Sequence, residues 1–242
     1  SAWEGEVAVL TEKMRKDWGP LASVIFLTLV SVVGLVLIPV LVLQPNLMHV
    51  QVSIRHGLVG TLYLIICLLG VSAVFYPSKC KSLFGKAQNP LSQAINPSVK
   101  IRGHHPDCQN YSANRIRIGG QVICAACSGL FIGAVSASIG TILYFFVGLE
   151  IVGSNIWLLV LGEIFIVLGL AQIKFPGYVK TLANVIFVVG SFVTLVETDL
   201  LSGSILADFY VLGLILFILW FRISLSEWNN GRICEKCQLC FQ

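Results

Sequence analysis

The sequence predicts an all-α, polytopic membrane protein of about six transmembrane helices. Both termini are expected in the cytoplasm, with a small cytoplasmic Cys/His metal-binding loop. Three observations carry this expectation. Of the 242 residues, 56% are hydrophobic and only 12% charged, where a soluble domain carries about 25% charged residues. Several apolar runs reach the ~20 residues that a helix needs to cross a bilayer. One long polar stretch, residues 77–121, interrupts these runs and leads into paired cysteines at metal-ligand spacing.

Residues 1–20 read as an amphipathic interfacial segment. Trp3, Val7, Leu10, Met14 and Trp18 recur at helical spacing, with Glu6, Glu12, Lys13, Arg15 and Lys16 between them. That is the pattern of a helix lying on a membrane surface, and a solvated lead-in to the first span fits it equally. The segment lacks the apolar h-region of a cleavable signal peptide. Gly19-Pro20 is expected to break the chain.

Residues 21–76 hold the first two spans, at 21–43 and 57–76, joined by a short connection. Pro39 is expected to kink the first near its end. Residues 77–121 contain Pro77, Pro90, Pro97 and Pro106 and seven Lys or Arg; polar connections this long are usually functional or disordered. Residues 122–223 hold the third to sixth spans, at about 122–148, 156–173, 179–198 and 205–223. Residues 224–242 form a cysteine-rich tail.

Positive charge orients the bundle. Lys13, Arg15 and Lys16 precede the first span. Lys79, Lys81, Lys86, Lys100, Arg102, Arg115 and Arg117 lie in the second connection, Lys174 and Lys180 in the fourth, and Arg222, Arg232 and Lys236 at the sixth-span end and tail. That puts 15 of the 16 Lys and Arg on one face, with only Arg55 on the other. Cytoplasmic connections carry such an excess, so both termini and every motif cysteine are expected in the cytoplasm of a multi-pass protein of the cell membrane. Thiols stay reduced there, and metal binding outranks disulfides for these cysteines.

The central motif runs Gly-His104-His105-Pro-Asp-Cys108, then a polar loop, then Cys124-Ala-Ala-Cys127. Two Cys separated by two residues reach one ion. His105 and Cys108 have the spacing to complete a tetrahedral zinc site, with His104 the alternative fourth ligand; four N/S ligands make a closed and normally structural centre. The tail carries Cys234, Cys237 and Cys240, which lack a fourth ligand of their own; Cys80 or His104 are candidates for it. Three close cysteines also resemble part of an iron–sulfur signature, which needs four thiolates. A single site drawing ligands from both segments, tying tail to loop, stays open. Cys67, inside the second span, reads as a small packing residue.

Other polar features have plainer readings. Gly129, Gly133 and Ala137 repeat every four residues, which lets helices approach closely; packing within the chain is the favoured use. Glu163 sits mid-span in the fourth helix, where it is either neutral and hydrogen-bonded inside the bundle or lines an ion path. Glu197, Asp199 and Asp208 are expected at the outer interface, and His49 and His56 on the surface. His-Glu-x-x-His, phosphate-loop and Gly-x-Ser-x-Gly motifs are absent, which removes the usual support for hydrolase and ATPase readings.

The central stretch resembles a family of small prokaryotic membrane proteins known only as a domain of unknown function. Cys108, Gly120-Gln121, Cys124, Cys127, Ser128-Gly129 and Gly133 match its pattern, and His-His-Pro-Asp-Cys looks like an archaeal version. A weaker echo follows at Gly169-Leu-Ala-Gln172 and Asn184, where related proteins carry an intramembrane Gln and Asn; an Arg usual after the Asn appears here as Phe187. The resemblance covers about residues 103–190. It implies fold and metal, and no activity.

The expected function is therefore non-enzymatic. The zinc-stabilised cytoplasmic face would serve an accessory, scaffold or assembly subunit of a larger membrane complex. Its partners would be the lipid bilayer and proteins met through the loop and tail, with no nucleic acid. The alternatives are an iron–sulfur redox membrane protein, or a transporter or channel using Glu163 and Gln172.

Overall fold

A computed structural model of the chain describes residues 2–44, 51–75, 101–102, 105–106, 109–118, 121–149 and 153–235, with only the backbone path for 2–20. Helix α1 is Ala2–Val42 and α2 is Val52–Phe75. Two short antiparallel pairs follow, β1 (Ile101–Arg102) with β2 (His105–Pro106), and β3 (Arg115–Ile118) with β4 (Gln121–Cys124). A 3-10 turn, Gln109–Asn114, lies between them. Helix α3, Ala125–Thr141, ends in a π-helical turn, Ile142–Phe146. Helix α4 is Ile156–Leu170 with a 3-10 turn Ala171–Lys174, α5 is Gly177–Ser202, and α6 is Ile205–Glu235.

Six helices among the described residues are long and apolar enough to cross a membrane: Leu21–Val42, Val52–Ser72, Ala125–Phe146, Ile156–Lys174, Gly177–Ser202 and Ile205–Asn229. A spanning backbone has no water to satisfy its N–H and C=O groups, so helices are the form open to such sequences. Their outward faces are apolar. Phe26, Leu29, Leu68, Trp157, Leu182 and Leu206 are all exposed, far more apolar surface than a soluble monomer presents.

Helix α5 is the axis of the bundle. It packs most extensively on α4 and α3, while α3 packs on α2 and α6 on α5 and α1. The small-residue stripe of α3 makes this possible. A Cβ on Gly129 would lie 2.2 Å from the Thr181 carbonyl oxygen, and one on Gly133 2.9 Å from Val188 Cβ. The stripe thus serves packing within the chain. Gly162 of α4 and Gly190 of α5 form a second close approach, each facing the other's carbonyl. Between these contacts sit Leu159, Ile166, Phe187, Leu195, Ile218 and Phe221, all buried. Cys67 is buried in the same core, as a packing residue should be.

Four expectations change. Helix α1 runs through Gly19-Pro20 without a break; a proline costs one ladder bond and a ring clash, which the turns on either side of a 41-residue helix absorb. Helix α2 starts at Val52, and the Arg55 and Ile54 N–H groups bond the Gln51 carbonyl, so Arg55 and His56 are helical. The third span starts at Ala125, because Gln121–Cys124 pairs as a strand in the register Arg115↔Cys124 and Ile118↔Gln121. β-branched Ile116, Ile118, Val122 and Ile123 favour that pairing, and Gly119-Gly120 between the two runs is a hairpin signal in the sequence. Helix α6 continues through the first half of the expected tail. Leu225 is buried and Trp228 packs on the core, and the Arg232 guanidinium stacks 4.9 Å from the Trp228 ring, an i, i+4 contact that prolongs the helix.

Candidate functional site

At one end of the bundle, the β3–β4 hairpin delivers the chain directly into α3. Cys124 is the last residue of β4 and the N-cap of α3, with extended backbone (φ −68°, ψ 123°). Cys127 follows one turn later. The two thiols are in hydrogen-bonding contact, as the Cys-x-x-Cys spacing requires if both are to reach one ion. Cys124 is buried and Cys127 partly so.

The pair faces a cavity of about 200 Å³ lined by Asn114, Gln172, Lys180 and Arg222 among others. Each wall comes from a different element. Lys180, in the first turn of α5, donates to Asn114 Oδ1 at the end of the 3-10 turn. Asn184, one turn on, donates to the Lys180 carbonyl, and Thr181 Oγ1 donates to the Ala125 carbonyl at 3.0 Å. This last bond ties the start of α3 to α5. From α6, Arg222 donates to Gln172 Oε1 at 2.9 Å and lies 4.5 Å from the Phe187 ring centroid. Sequence reasoning placed Arg222 at the end of the sixth span; it is 4% exposed, with Lys180 at 7%, because α6 runs about three turns further than expected.

Two buried cations beside two thiols define the electrostatics. Neutral amide oxygens do not balance a buried positive charge. Thiolates do, and the thiolate is the form of cysteine that ligates metal or attacks as a nucleophile.

The remaining expected ligands are unevenly placed. His105 lies in β2 and Cys234 in the last turns of α6, both described by backbone alone. His104, Cys108, Cys80, Cys237 and Cys240 lie outside the described residues. Among the described residues, no group of three or more His, Cys, Asp or Glu gathers as a metal site. Glu163 is half-buried on α4, with Oε1 enclosed and lacking a hydrogen-bond partner.

The opposite end of the bundle holds a cluster that sequence reasoning missed. Glu197, Asp199 and Asp208, expected at a wet interface, are all buried. Arg55 Nε lies 2.8 Å from Asp199 Oδ1 and 3.6 Å from Asp208 Oδ2. Asp199 Oδ2 accepts from Tyr144 Oη at 2.7 Å and meets His56 Nε2 at 2.9 Å. The α5 helix stops at Gly203, whose left-handed backbone (φ 59°) returns its N–H to Asp199 O, the turn that glycine favours. Its carbonyl accepts from Arg55 Nη1. That turn brings Asp199 and Asp208 together. The one signal in the sequence was Arg55 itself, the single cation against the charge bias.

No protein-family model, curated protein or solved structure matches the chain.

Proposed function

We propose that this is a multi-pass protein of the cell membrane whose cytoplasmic end is pinned by a structural zinc centre, serving as an accessory, scaffold or assembly subunit of a larger membrane complex. The observation that carries the reading is the Cys124–Cys127 pair, two thiols in contact at the junction of a hairpin and a long helix. Cys108 and His105, from the segment just before, would complete four N/S ligands, with His104 the alternative. Cys234, Cys237 and Cys240 with Cys80 would form a second set. Lys180 and Arg222 offset the negative charge that a thiolate-rich centre carries. Such a closed centre holds shape rather than substrate. The loop and tail it orders are then the docking surface, and zinc binding can contribute about 10 kcal/mol or more to ordering a small module.

Elemental analysis of detergent-purified protein tests this. The expected result is about one zinc per chain or more, reduced by about one in the Cys124→Ser, Cys127→Ser double variant. The spans stay inserted in that variant, while residues 77–121 become protease-sensitive. Unchanged zinc content in the double variant overturns the reading. Iron with visible absorbance transfers it to an iron–sulfur redox protein. Cross-linking in native membranes that yields only the single chain removes the subunit role.

A further inference from the structure

The cluster at the far end from the cysteines has a charge count that does not close on its own. Arg55 and His56 come from α2, Tyr144 from the π-helical turn after α3, Asp199 from α5 and Asp208 from α6. The nearby Glu197 side chain points elsewhere, accepting from the Asn155 N–H at the start of α4. Among the described residues one guanidinium therefore faces two carboxyls, with a neutral or charged imidazole beside them.

Both carboxyls approach the same Arg55 nitrogen, at 2.8 and 3.6 Å, so the two acids crowd around one cation. Like charges this close do not both ionise. Asp208 is 0% exposed and neither of its oxygens has a hydrogen-bond partner. Asp199, in contrast, accepts from Tyr144 and meets His56. Asp199 is thus the anion that Arg55 balances, and Asp208 the acid. With one proton on the pair the cluster is neutral; without it, a net negative charge is left among apolar helices, where it is costly.

We propose that Asp199 and Asp208 form a carboxyl pair that binds one exchangeable proton, with His56 as its route to solvent. His56 is the member of the cluster closest to water, its side chain 21% exposed against 1% for Asp199, and its Nε2 touches Asp199 directly. A proton arriving on His56 passes to Asp199 Oδ2 and is shared with Asp208; the reverse path releases it. A divalent metal ion fits poorly, because such ions take about six oxygen ligands and a guanidinium already sits between these carboxyls.

Infrared spectra of the protein in lipid vesicles test this. The parent should show the carbonyl band of a protonated carboxylic acid at neutral pH, shifted by deuterium exchange and lost as the pH is raised. Asp208→Asn, which mimics the neutral acid, should fold and lose that band, while Glu163→Gln keeps it. His56→Gln should keep the band but slow its deuterium exchange severalfold. Thermal stability of the parent should fall as pH rises, and that of Asp208→Asn should change less. A parent without the band, a band that survives Asp208→Asn, or one lost in Glu163→Gln overturns the proposal. So does a stability that follows sodium concentration at fixed ionic strength rather than pH. The parent spectrum decides the matter even if Asp208→Asn fails to fold.

Discussion

Replacing Gly129 by alanine adds one methyl group where α3 crosses α5. The new Cβ would sit 2.2 Å from the Thr181 carbonyl oxygen and 2.6 Å from Asn184 Cβ. The first distance falls about 1.2 Å short of ordinary contact at 3.4 Å, and the obstacle is backbone, which cannot rotate away. The two helices must separate. Overpacking of this kind costs about 1–3 kcal/mol, and the backbone obstacle puts Gly129→Ala near 3. At roughly 2–4 °C per kcal/mol for a chain of this size, the midpoint of thermal unfolding in detergent should drop by roughly 6–12 °C. Gly213→Ala is the matched control. It lies in α6 with nothing within 4 Å of the added Cβ, so it should gain about 0.5–1 kcal/mol of helix propensity. Because Gly129 follows Cys127 by two residues, the same shift should move the thiol pair away from Lys180 and weaken metal retention. A Gly129→Ala protein that melts at or above the Gly213→Ala temperature would refute the close-packing argument.

Three further outcomes are expected. Arg55→Met leaves two buried carboxyls without a cation and should cost about 3–5 kcal/mol in detergent unfolding; adding Asp199→Asn should recover part of it, and strict additivity would show that the two residues do not interact. Gln172→Leu removes the oxygen that Arg222 Nη2 bonds at 2.9 Å and should destabilise by about 1.5–3 kcal/mol, whereas no change would mean that Arg222 finds water instead. Ser1→Cys and Gln242→Cys should resist a membrane-impermeant thiol reagent on intact cells, and ready labelling of either would overturn the cytoplasmic orientation.

Much of the architecture is legible in the sequence because it rests on local properties. Apolar length marks all six spans, and the four-residue period of Gly129, Gly133 and Ala137 marks a helix–helix seam. Cys124 and Cys127 announce themselves by spacing. What is illegible depends on tertiary neighbours. Arg55 and Asp208 are separated by more of the chain than any periodicity reaches, and nothing around Asp199 in sequence says that a Gly203 turn folds it against them. Arg222 reads as a span end only if α6 stops there; Leu225 and Trp228 pack on the core and carry the helix past it. The β3–β4 pair was hidden because Val122 and Ile123 are apolar enough to be read into the third span.

The account turns on whether Cys124 and Cys127 ligate one zinc ion together with Cys108 and a histidine. X-ray absorption at the zinc edge of purified protein measures that shell directly. In a variant with Cys234, Cys237 and Cys240 changed to Ser, the account predicts about three sulfurs at roughly 2.3 Å and one nitrogen at about 2.0–2.1 Å. A shell of nitrogen and oxygen alone, or no zinc in that variant, would contradict it.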